Sequence, residues 1–186
     1  MTSPRIISGS ARGARLRSVP GDSTRPITDM VKEALFNILG NDIVDADFLD
    51  LFGGTGSVGI EALSRGARYA RFIDLSASAV KIIKFNLEHT HLSDSADVLQ
   101  GDSFSYVRRP NDRTFHFIYI APPQYKDMWS KMILEIDHYS GWLAPDGCVV
   151  VQIDPKEYKS LPLNNLVEFE QRKYGNTLLV FYERPG

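Results

Sequence analysis

The chain has 186 residues, 43% hydrophobic and 24% charged, with a net charge of −2. That is enough for one full hydrophobic core in an ordinary globular composition, and a single cysteine, Cys148, excludes an internal disulfide framework and fits a reducing compartment. No stretch approaches the ~20 apolar residues of a membrane span or resembles a signal peptide, so a cytoplasmic protein without a membrane partner is expected. His89, His91, His116 and His138 do not combine with cysteines or carboxylates at ligand spacing, and no metal is expected.

The first segment, R-I-I-S-G-S-A-R-G-A-R-L-R-S-V, predicts two short strands around a glycine-bearing turn. Residues 1–32 carry Arg5, Arg12, Arg15, Arg17, Arg25 and Lys32 against Asp22 and Asp29, so a basic end sits on an acidic body. That asymmetry fits a polyanion held at one end, or equally a solvated hairpin. Residues 1–27 read as this arm with its linker, and 28–186 as the main domain. Thr28 is placed to cap a helix whose first turn carries Asp29. Ile27, Val31, Ala34, Leu35 and Ile38 then recur at helical spacing up to Gly40.

From Phe48 the pattern alternates. Strands are predicted over 47–52, 69–74, 96–100, 115–120 and 147–153, and helices over 57–66, 77–90, a short one from Ser103, and 126–139. Strand and helix in alternation imply right-handed crossovers and a parallel, doubly wound α/β sheet. The closing segments, L-V-E-F-E-Q-R-K-Y and T-L-L-V-F-Y-E around Gly175-Asn176, predict an antiparallel hairpin.

The loop F-L-D-L-F-G-G-T-G-S-V-G leaves the first strand and opens a helix. Gly54, Gly56 and Gly59 satisfy G-x-G-x-x-G, and Asp74 follows at the spacing of a dinucleotide fingerprint. Asp50 argues against that ligand, because a carboxylate beside the loop repels a pyrophosphate. S-adenosylmethionine carries an α-ammonium and a sulfonium and no phosphate, and an acidic loop attracts it. The candidate cofactor residues are Asp50, Phe52, Gly53, Gly54, Thr55 and Gly56 at the loop, with Asp74 and Leu75 at the second strand end. Asp102 and Ser103 follow the third strand, where a carboxylate reaches an adenine amine.

The fourth strand ends in I-Y-I-A-P-P-Q-Y. Two prolines build a stiff corner, which serves either as a plain strand stop or as a rigid site element.

R-I-I-S-G-S-A-R-G, T-R-P-I-T-D-M-V-K-E-A-L-F-N-I-L, D-L-F-G-G-T-G-S-V-G-I-E-A-L-S-R-G-A and the proline pair together resemble the guanine-N2 methyltransferases of small-subunit (16S) ribosomal RNA. The resemblance runs along almost the whole chain. It implies a seven-stranded sheet with the last strand antiparallel, S-adenosylmethionine as donor, and a hairpin that helps grip ribosomal RNA or the assembling small subunit; the basic charge of the segment nominates Arg5, Arg12, Arg15 and Arg17 as its phosphate contacts. It also implies that Thr24, Arg25, Pro26 and Thr28 lie over the methionine part of the donor. The family's fourth motif reads Asp or Asn, Pro, Pro, Tyr or Phe. Here it reads Ala121-Pro122-Pro123-Gln124-Tyr125, so the acidic or amide residue is absent and one residue is added.

Methyl transfer to a ring amine needs alignment and hydrogen-bond acceptors rather than a strong base. The Pro122 carbonyl is a candidate acceptor, Tyr125 a face for an unstacked base, and the Gln124 carbonyl a replacement for the acceptor missing at Ala121. Three other readings remain: an amino-methyltransferase acting on adenine or cytosine, a weak or inactive RNA-binding domain, and a nicotinamide oxidoreductase, which Asp50 disfavours.

Overall fold

A computed structural model describes residues 3–21 and 26–185. Among these, twelve elements follow in chain order: α1 (Asp29–Leu39), β1 (Asp47–Asp50), α2 (Ser57–Ser64), β2 (Tyr69–Asp74), α3 (Ala77–His89), β3 (Ala96–Gln100), α4 (Ser103–Val107), β4 (Phe115–Ile120), α5 (Met128–His138), β5 (Leu143–Ile153), β6 (Val167–Tyr174) and β7 (Thr177–Glu183). The strands form one seven-stranded sheet in the order β3-β2-β1-β4-β5-β7-β6. Neighbours from β3 through β5 are parallel, and β7 runs antiparallel to both β5 and β6. The predicted doubly wound architecture is present, and the order reverses between β1 and β4, where an open α/β sheet forms its ligand crevice.

Side chains alternate across the sheet with period two and feed two cores. Phe48, Phe72 and Tyr119 pack with α1, α2 and α3 on one face. Leu49, Ile73, Ile118 and Ile120 pack with α4 and α5 on the other. All four residues of β1 are buried, as a central parallel strand covered on both faces requires. Thr28 caps α1 by accepting from the Val31 amide at 3.3 Å. Gly59 lets α2 lie against β2, since a Cβ there would sit 2.3 Å from the Phe72 ring.

Several expectations need correction, beginning with β1, which ends at Asp50 rather than residue 52, and α2, which ends at Ser64 rather than residue 66. β5 begins at Leu143 rather than residue 147, because the P-D-G stretch continues the strand through a register shift against Phe115/Phe117. α5 begins at Met128, after Asp127 in a left-handed conformation (φ 54°), which ends helical continuity on that side. The N-terminal hairpin contains one antiparallel bridge, Arg5↔Arg15, rather than two strands.

The hairpin is held to the body by buried groups. Ile6 and Leu16 are buried in the first core. Glu61 on α2 is fully buried and accepts from the Ile7 and Ser8 amides at 2.9 and 3.1 Å. It also pairs with Lys32 of α1 at 3.3 Å and Arg65 at 2.8 Å. The Lys32 ammonium is buried too and donates to the Arg5 carbonyl and the Ser57 hydroxyl. Burial lowers its pKa, opposed by Glu61. Gly9 at the hairpin tip meets the end of α2 so closely that a Cβ would lie 1.8 Å from the Ser64 carbonyl oxygen.

Removing one member of a buried ion pair strands its partner, a loss of about 3–5 kcal/mol. Glu61→Ala is expected to lower unfolding free energy by that amount in urea titration. A loss below about 1 kcal/mol, the scale of an exposed pair, would show that the charges are not coupled as described.

Candidate active site

The strand ends at the β1–β4 reversal enclose a cleft with two connected parts sharing Phe52, Gly54 and Ala121. The inner part, about 70 Å³, has Asp50, Tyr119, Ala121 and Gln152 among its walls, with Pro4, Pro26 and Ile27 on the hairpin side. The outer part, about 440 Å³, is lined by Asp74, Leu75, Asp102, Pro123 and Met128, among others.

Asp50 is 1% exposed, and its Oδ1 has no hydrogen-bond partner among the described residues. Burial and the nearby Asp74 push its pKa up to about 7, against the opposing backbone amides of Phe52 and Gly59. A buried carboxyl with an unused oxygen facing a cavity is a group arranged for a cationic or hydrogen-bond-donating ligand.

The glycine loop is internally bonded. The Gly53 amide donates to the Ile73 carbonyl and that of Gly56 to the Gly53 carbonyl, at 2.9 and 2.8 Å. The Gly54 amide donates to Asp74 Oδ2 at 2.8 Å, and the Ser57 amide to Thr55 Oγ1 at 3.2 Å. A pyrophosphate cradle needs such amides free. Here they brace the loop and aim Asp74, whose other oxygen accepts from the Ser76 amide.

The remaining sequence-derived candidates divide by position. Thr24 and Arg25 lie outside the described residues. Pro26 lines the inner part, whereas the Thr28 hydroxyl caps α1. Asp102 and Ser103 line the outer part. The Asp102 carboxylate caps α4 through Phe104 and Ser105, and the Ser103 hydroxyl donates to the Leu51 carbonyl. In the corner, Ala121 lines both parts and Pro123 the outer one, while Pro122 is buried. Gln124 is half-buried and is not among the residues lining either part. Tyr125, 64% exposed with φ 62°, is fixed through its hydroxyl to Asp154 Oδ2 at 2.6 Å and its amide to Glu157 Oε1 at 2.8 Å. On the hairpin, Arg12 and Arg15 are exposed, Arg5 pairs with Asp29, and the Arg17 guanidinium lies 3.6 Å over the Phe85 ring.

Sequence reasoning missed Tyr119 and Gln152. The available signal was a single polar residue in the apolar run C-V-V-V-Q-I, near the carboxyl end of a strand beside β4.

Comparison with known proteins places the chain in a family and matches its fold. The family model described as conserved hypothetical protein 95 matches residues 4–183. The Bacillus subtilis protein YlbH is 37% identical over 98% of this chain and 100% of its own length. The Haemophilus influenzae ribosomal RNA small subunit methyltransferase D is 32% identical over 86% of this chain and 83% of its length. Among solved structures, Escherichia coli yhhF superposes with a TM-score of 0.88, at 30% identity and 98% coverage of both chains. A Salinibacter ruber RNA methyltransferase in complex with S-adenosyl-L-homocysteine shares the fold, with a TM-score of 0.65, 17% identity, and coverage of 87% of this chain and 94% of its own.

A carboxyl whose folded pKa is raised leaves stability intact below its unfolded value, near 3.8, and removes it as pH rises through about 7. Between about pH 4 and 7.5 the unliganded protein is expected to lose on the order of 4 kcal/mol from Asp50 ionisation. Asp50→Asn, which cannot ionise, is expected to lack that part of the pH slope. Parallel slopes for the two proteins in denaturant titrations would refute the assignment.

Proposed function

The chain belongs to the conserved hypothetical protein 95 family, and on that premise we propose that it methylates the exocyclic N2 amine of a guanine in small-subunit ribosomal RNA, with S-adenosylmethionine as donor. The observation that carries the donor is Asp50, a buried carboxyl with an unbonded oxygen at a glycine loop whose amides are already engaged. Such a site favours an ammonium and disfavours a pyrophosphate. The name of the Haemophilus relative supports the RNA class, and the resemblance of the sequence motifs supports guanine N2.

In this reading Asp50 faces the α-ammonium, and Pro26 and Ile27 close over the methionine part. Asp74 holds the ribose hydroxyls. Leu75, Asp102, Pro123 and Met128 enclose the adenine, and Ser103 braces the turn beneath it. When bound, the donor supplies a methyl carbon on a sulfonium, and transfer forms the N–C bond while the C–S bond breaks and its electron pair stays on sulfur. The corner presents the Pro122 carbonyl to the amine as its nitrogen gains positive charge. Tyr125, fixed at both ends by Asp154 and Glu157, offers a face for the unstacked base. The exposed Arg12 and Arg15, with Arg5 and Arg17 beside them, track phosphates.

Labelled donor offered with protein-free small-subunit RNA, small subunits and DNA is expected to label RNA as N2-methylguanosine. Label in DNA, or on adenine or cytosine, would replace the guanine reading. Asp50→Ala is expected to weaken S-adenosylhomocysteine binding by about 2–5 kcal/mol in calorimetry, while NAD binds neither protein. Replacing Arg12 and Arg15 together is expected to weaken RNA binding across sequences. It should also flatten the salt slope by about 0.7–0.9 for each phosphate no longer neutralised. An unchanged slope would leave the hairpin as a solvated surface.

A further inference from the structure

We propose that Gln152 supplies the hydrogen-bond acceptor missing at Ala121, so that the amine is gripped from β5 as well as by the Pro122 carbonyl. The inference rests on methyl transfer to a ring amine as proposed above, and holds for any base whose amine adjoins a ring nitrogen.

The register decides the placement. Tyr119 pairs with Val150 and Ile120 with Val151, so the next position along puts Gln152 beside Ala121 on the neighbouring strand. Parallel neighbours lie about 4.8 Å apart, and residues two apart share a face. Tyr119, Ala121 and Gln152 therefore project to the same side, and all three line the inner part of the cleft with Asp50. An Asp or Asn at position 121 would project into the inner part of the cleft that Gln152 also lines. With alanine there, the longer glutamine side chain has that space.

The side chain is also oriented. The Tyr119 hydroxyl donates to Gln152 Oε1, which fixes the amide and leaves the oxygen a second lone pair. Tyr119 is itself buried, so the hydroxyl that holds the glutamine is fixed in place. A fixed amide accepts from the amine through Oε1 and donates through Nε2 to the adjoining ring nitrogen. Guanine N3, adenine N1 and cytosine N3 all offer that second partner. As the N–C bond forms, positive charge on nitrogen strengthens the hydrogen bond to Oε1, and the surplus proton then passes to water. Gln124, by contrast, is not among the residues lining the cleft.

The test compares wild type with Gln152→Met, Gln152→Met/Ala121→Asn, Tyr119→Phe and Gln124→Ala, using labelled donor with small-subunit RNA and with small subunits. Gln152→Met keeps side-chain length but loses the acceptor, and should lower kcat about 10²–10³-fold, the scale for one aimed polar group. Its S-adenosylhomocysteine affinity should stay within about threefold, which also reports a folded cleft. Adding Asn at 121 should recover at least about tenfold of the missing kcat. Tyr119→Phe should lower kcat several-fold with little change in KM, as a positioning residue, and Gln124→Ala should stay near wild type. Full turnover by Gln152→Met overturns the inference. So does a parallel loss of donor affinity, which would place Gln152 against the donor, or a defect confined to Gln124→Ala. A wild type that methylates no RNA fails the function reading itself and the inference with it. An active wild type with an unimpaired Gln152→Met fails the inference alone.

Discussion

A buried carboxylate that must satisfy two backbone amides and two cations sets the geometry of one whole side of the molecule. Glu61 reaches the hairpin through Ile7 and Ser8, α1 through Lys32, and its own helix through Arg65. Each partner is itself constrained, because Lys32 also holds the Arg5 carbonyl and the hydroxyl of Ser57, the first residue of α2. A buried ion pair adds little net stability over apolar packing, but it strongly penalises every arrangement in which one partner is missing. The hairpin, α1 and the start of α2 are therefore fixed as a unit. Since Pro4, Ile27 and Ser57 are cleft walls, that unit also fixes the shape of the inner part.

The cleft follows the opposite rule. Buried carboxylates elsewhere are engaged: Asp137 accepts from the Asn164, Asn165 and Leu166 amides, and Asp47 holds Arg68 and Arg113. Among the described residues, Asp50 is the buried carboxyl that keeps an unused oxygen, and its raised pKa follows from its burial and from the nearby Asp74. The Gly53, Gly54 and Gly56 amides beside it are engaged by the Ile73 carbonyl, the Asp74 carboxylate and the Gly53 carbonyl. A rigid, self-satisfied loop around one unsatisfied acid selects by charge, whereas a loop of free amides would select phosphates.

Much of this was legible in the sequence, and the reasons differ by element. β2, β3 and β4 fall on their predicted residues, since short β-branched and aromatic runs between helical stretches leave little choice. The Thr28 cap and the Gly40 stop of α1 were equally local signals. The start of β5 was hidden because Pro145, Asp146 and Gly147 carry turn chemistry, and only pairing with β4 overrides it. In the site, the loop and the acidic strand ends could be placed from spacing. The burial of Asp50, the engaged glycine amides and the meeting of Gln152 with Ala121 depend on strand order, which no local pattern encodes.

The position of β7 has a consequence for how the chain is made. It follows the other six strands in sequence but sits inside the sheet, between β5 and β6, pairing Leu178–Glu183 with Cys148–Ile153. During synthesis the earlier strands of the sheet are available while β5 still presents an open, apolar edge of valines. That edge stays unpaired until β7 leaves the ribosome, and an unpaired apolar edge is a template for other chains. A nascent chain stalled before β7 thus holds most of its core residues, yet exposes the part of the sheet most prone to self-association.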